Sequence, residues 1–128
     1  MRFFGRLFLA LAGLCACTPA TPKLDLQVRC EAEVRKTLLN PETAEFHDFT
    51  EVDAETFKAA VIPPLEAEHN YPAGKIIVDG ERKQIGSAAH LYRMRLRAEG
   101  QLGNRITKQA FCRQPVEGQD LCFCTVFD

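Results

Sequence analysis

Residues 90–113, HLYRMRLRAEGQLGNRITKQAFCR, constrain the fold more than any other stretch of the chain. His90, Tyr92, Met94, Leu96 and Ala98 alternate with Leu91, Arg93, Arg95 and Arg97, the period-2 pattern of a half-buried antiparallel strand. Residues 99–104 contain two glycines and an asparagine, which tolerate the positive φ that a chain reversal needs. The alternation resumes at Arg105. Ile106, Ala110 and Cys112 fall on the face of Met94, while Thr107, Gln109 and Arg113 join the arginines. A two-stranded hairpin is not stable alone, so the remaining segments are expected to cover its apolar face.

Length and composition fit one globular domain. The 128 residues are 46% hydrophobic and 26% charged, against a disordered chain, and the net charge of −1 singles out no partner. The beginning stands apart. Arg2 and Arg6 precede an apolar run at positions 7–14 that is too short to span a bilayer and has the length of a signal-peptide core. The next residues, Leu14-Cys15-Ala16-Cys17, resemble the lipobox of bacterial lipoproteins, although Cys15 is unusual at its position. That resemblance implies cleavage after Ala16 and a thioether-linked diacylglycerol on Cys17. The plainer alternative is a secretory signal cut after Ala16 without lipid. Thr18 follows Cys17 where an Asp would resemble an inner-membrane retention signal, which points to the outer membrane, facing the periplasm. The division is then a signal peptide at 1–16, a proline-containing tether at 17–23 and a single domain at 24–128.

Within the domain, residues 24–39 read as a long helix. Leu26, Cys30, Val34 and Leu38 recur every fourth position, and Asn40-Pro41 ends the pattern. Residues 39–46 (LNPETAEF) resemble an L-x-P-x-[ST]-A-x-F segment between helix and strand in small exported bacterial proteins. Positions 46–52 read as a short strand. Positions 53–62 read as a second helix, capped by Asp53 and stopped by Pro63-Pro64, with 65–74 irregular. Asp79-Gly80 between 75–78 and 81–85 is the signal of a small outlying hairpin. Residues 114–120 form a turn and 121–127 the last strand. The expected class is α+β: one long N-terminal helix on a three- to four-stranded antiparallel meander, tied by disulfides. Together with the 92–104 region and the cysteines after it, these motifs are similar to small, uncharacterised bacterial envelope lipoproteins, a likeness that implies architecture and no activity.

Four cysteines lie in the domain: Cys30, Cys112, Cys122 and Cys124. An exported chain favours disulfides over free thiols. Neighbours two apart on a strand are beyond easy reach of one another, which disfavours Cys122–Cys124. Two pairings remain, Cys30–Cys122 with Cys112–Cys124, or Cys30–Cys124 with Cys112–Cys122, according to where the turn between them is centred. A thiolate metal cluster of Cys112, Cys122 and Cys124 is the weaker reading, and no cofactor is implied.

No catalytic motif is recognisable; His47, His69 and His90 are scattered, and a Cys112–His90 nucleophile pair is weaker than a disulfide plus a strand-end histidine. Charge is more informative. Positions 42–68 hold eight acidic residues and one base, Lys58, whereas 82–113 hold eight bases and one acid, Glu99. Arg93, Arg95, Arg97, Arg105 and Arg113 should share a sheet face. Such a row suits carboxylates or phosphates of an acidic protein or envelope component, unless the chain's own acidic segment neutralises it. Nucleic acid is not expected for an exported protein. The expected function is non-enzymatic: a lipid-anchored envelope protein, attached to the membrane by its lipid and acting as a binding or structural module. The alternative is an inhibitor or immunity-type lipoprotein that blocks an envelope-active enzyme.

Overall fold

The structure is a computed structural model that describes residues 22–117 and 121–128. The expected signal peptide, Cys17 and most of the tether lie outside these residues. Among the described residues the architecture is α+β, with three helices on a four-stranded antiparallel sheet. The elements are α1 (Pro22–Arg35), a 3-10 turn (Pro41–Thr43), β1 (Glu45–Glu51), α2 (Ala54–Glu68), α3 (Gly74–Gly86), β2 (Ala88–Glu99), β3 (Arg105–Pro115) and β4 (Phe123–Phe127). The sheet order β1-β2-β3-β4 is a simple meander. Among the described residues no helix is long and apolar enough to cross a membrane.

The β2–β3 hairpin pairs Tyr92 with Cys112, Met94 with Ala110 and Leu96 with Lys108. Its apolar face, Tyr92, Met94, Leu96, Ala110 and Cys112, packs beneath the Leu26–Cys30–Val34 stripe of α1. The helix ends at Arg35, four residues before the expected stop. The amides of Lys36, Thr37 and Leu38 bond back three residues, and the Thr37 hydroxyl donates to the Val34 carbonyl, so the last turn tightens and the helix closes. The 39–46 segment then clamps the far end of the hairpin. Asn40 Nδ2 donates to the carbonyls of Glu99 and Gly100, and the Thr43 hydroxyl accepts from the Glu99 amide.

A single long helix is not the whole helical layer. Residues 54–86 hold a helical pair on the opposite sheet face. Phe57, Val61 and Ile62 of α2 and Val78 and Ile85 of α3 form a second core with Leu91 and Phe111. Two expectations fail here for one reason. Helix α2 continues through Pro63-Pro64 to Glu68. Each proline costs the helix a backbone hydrogen bond and crowds the carbonyl four residues back, a cost offset by the apolar face of Val61, Ile62 and Leu65, which straddles the break. Likewise Asp79-Gly80 lies inside α3 and not at a hairpin turn. An isolated two-stranded ribbon has no layer against which to bury Val78 and Ile85, whereas seven positions along a helix bring both to the one face that meets the sheet. The α2–α3 link is tight: a Cβ on Gly74 would stand 1.9 Å from the His69 carbonyl oxygen.

His90 also departs from expectation. It lies at a register shift between β2 and β3, is exposed, and meets the Glu51 carboxylate at 3.2 Å. Tyr92, beside it, is stacked on Phe49 at 4.4 Å.

Helix α2 starts as expected. The Asp53 carboxylate accepts from the Thr56 amide at 2.7 Å. That bond, with the Thr56 hydroxyl, holds its carboxyl below the ordinary value. The cap is therefore at full strength above the usual carboxylate range and is lost as pH falls through the lowered folded value. Asp53→Asn, which retains a capping oxygen, is expected to match the wild type near neutrality and to lack this acid-side loss. Thermal unfolding across pH tests it; equal acid slopes for both proteins would exclude the cap as the source.

Candidate functional site

Strand alternation places Arg93, Arg95 and Arg97 on the outer sheet face, all exposed. Each is flanked across the sheet. Arg93 lies between Thr50 and Phe111, Arg95 between His47 and Gln109, and Arg97 between Glu45 and Thr107. The α2–α3 pair covers this face only at the Leu91–Phe111 end, so the arginine end stays open.

A β-bulge shapes that open end. Between His47 and Thr50, β1 carries one residue more than β2. The extra residue lets Phe46 and Phe49, three apart, both pack towards α1. The bulge is made at Asp48, whose φ of 58° is left-handed, a conformation that Asp and Asn adopt more readily than most. Asp48 is thereby carried to Arg95, with Oδ2 3.8 Å from Nε. Two hollows result. One of about 210 Å³ is lined by Asp48, Thr50, Arg93, Met94, Arg95 and Gln109. The other, about 420 Å³, is lined by His47, Asp48, Arg95, Arg97 and Thr107.

The five arginines expected to act together divide into two groups. Arg93 and Arg97 make no ion pair among the described residues, and Arg95 has only the loose Asp48 contact. Arg105 is held by Glu45 at 3.1 Å. Arg113 is half-buried, donates to Glu81 of α3 at 3.2 Å and lies over the Phe123 ring. It therefore fastens α3 to the sheet. The acidic segment at 42–68 answers part of the row, through Glu45 and Asp48, and leaves the rest open.

Among the described residues the four cysteines form two disulfides, Cys30–Cys122 and Cys112–Cys124. Strand register chooses between the two open pairings, because Cys112 stands directly opposite Cys124. All four sulfurs lie within 4.8 Å of one another. As disulfides they offer no thiolate to a metal, and Cys112 offers none to His90, which faces Glu51 instead.

His47, on β1, and His69, at the C-terminus of α2 with Nδ1 3.2 Å from the Leu65 carbonyl, sit apart from His90. Sequence reasoning missed the role of Asp48, for which a strand-interrupting aspartate was the one available sign. It also missed an open cleft of about 610 Å³ between α2 and α3, whose lining includes Glu66, His69, Tyr71 and Arg82. Part of that lining is already committed, since Arg82 meets Glu66 at 3.3 Å.

Compared with known proteins, the chain matches no family model, no curated protein and no solved structure.

Proposed function

We propose that this chain is a lipid-anchored protein of the bacterial cell envelope, held at the outer membrane facing the periplasm, which works by binding an acidic partner without catalysing a reaction. The observation that carries the binding half is the open row Arg93, Arg95 and Arg97, two of whose members have no ion-pair partner among the described residues. Guanidinium groups present planar forks of donors that match carboxylates, which makes an unpaired row an anion-recognition surface. The Leu14-Cys15-Ala16-Cys17 sequence supports the anchoring half. Two acyl chains on Cys17 would hold the protein stably, each buried CH₂ contributing about 0.8 kcal/mol. The four oxidised cysteines suit an exported chain. The separated histidines are consistent with a binding role.

Two measurements test this reading. Mass spectrometry of the native N-terminus is expected to find diacylglycerol on Cys17; an unmodified Cys17 or Thr18 terminus removes the anchor. Crosslinking in the native envelope is expected to recover a partner that is lost when Arg93, Arg95 and Arg97 are all replaced by Gln. Unchanged recovery would mean that the face is merely solvated.

A further inference from the structure

We propose that the partner surface taken by the arginine row is an extended peptide segment with carboxylates at every second residue, laid along β2. This rests on the reading of the sheet face as a binding surface and adds the chemistry of the ligand. The warrant is spacing. Arg93, Arg95 and Arg97 are alternate residues of one regular strand, so their side chains emerge roughly 6.5–7 Å apart on one face. An extended peptide has the same repeat, so carboxylates at positions i, i+2 and i+4 stay in register with all three guanidinium groups. A helical ligand does not stay in register: its i, i+4 and i+8 side chains rise about 6 Å per step but rotate by about 40° each time. The hollows on either side of Arg95 leave room for the side chains of such a segment between the arginines.

Asp48 has a defined part in this arrangement. Its carboxylate stands 3.8 Å from the Arg95 Nε, longer than a good charge-assisted hydrogen bond. It occupies the central position of the row weakly, as an internal substitute for the ligand carboxylate. The incoming segment displaces it from Arg95 and pairs with the guanidinium directly.

The probes are two short peptides of identical composition, one alternating Glu and Thr, the other a block of Glu followed by a block of Thr. Binding to the full chain is measured by calorimetry at low salt, where exposed charges are least screened. The alternating peptide is expected to bind at least about fivefold more tightly than the block peptide, and Arg95→Gln to cost roughly tenfold. Asp48→Asn, which suits the same left-handed backbone, is expected to tighten binding several-fold by removing the internal competitor. Equal affinity for the two peptides overturns the spacing argument while leaving an acidic partner standing. Weaker binding by Asp48→Asn overturns the displacement of Asp48. Arginine-dependent binding to phosphatidylglycerol vesicles, with neither peptide bound, overturns the peptide ligand altogether.

Discussion

Replacing Cys30 and Cys122 together by alanine is expected to lower the stability of the domain by roughly 4–5 kcal/mol, a large share of the 5–15 kcal/mol typical of such domains. The bridge joins residues 92 positions apart and is the covalent link between α1 and the sheet. In the chain-entropy account its effect lies in the unfolded state, where it closes a loop spanning most of the described chain. Alanine is the informative replacement, because Cys30 is fully buried and a serine hydroxyl would add a desolvation cost unrelated to the bridge. The matching variant lacking Cys112 and Cys124 removes a bridge across only 12 positions and is expected to lose roughly 3 kcal/mol. Urea unfolding of both variants gives the comparison. If the hairpin bridge proves the costlier to lose, loop length does not govern the stability of this domain.

Phe57→Ala, in the segment that reads from the sequence only as a short second helix, is expected to cost about 3–5 kcal/mol. Phe57 is 1% exposed and meets Phe111 of the sheet edge-on, with ring centroids 5.5 Å apart. Around it lie Val61, Ile62, Val78, Ile85 and Leu91, so truncation opens a cavity between helix and sheet rather than a dent at the surface. Because Leu91 and Phe111 belong to the same strands as Met94 and Ala110, the two cores share a sheet and should unfold together. A single urea transition, displaced by the expected amount and unchanged in slope, is the predicted result. A loss below about 1 kcal/mol, or a separate early transition for the helices, would make α2 and α3 a loosely attached layer.

Several features follow from local pattern alone. The hairpin needs only the alternation of residues 90–113 and the glycines between its strands, because strand geometry sends neighbouring side chains to opposite faces. The Leu26–Cys30–Val34 stripe marks the face of α1 in the same way, and the spacing of the three outer arginines places them on one surface. These are short-range consequences of backbone geometry, so neighbouring residues suffice to read them. The remainder was decided by groups far apart in the chain. Cys30 chose Cys122 because strand register set Cys112 opposite Cys124. Arg113 turned inward because α3 brought Glu81 to it across 32 positions, and Arg105 met Glu45 across a separation that no local rule measures. Pro63-Pro64 and Asp79-Gly80 are strong local stop signals that lost to the burial of Val61, Ile62, Val78 and Ile85. In a helix interior a glycine costs about 1 kcal/mol and a proline about 3 kcal/mol, whereas each large apolar side chain sealed against the sheet contributes about 1.5–3 kcal/mol. The sum over a helix face exceeds the local preference only once the sheet is there to receive it.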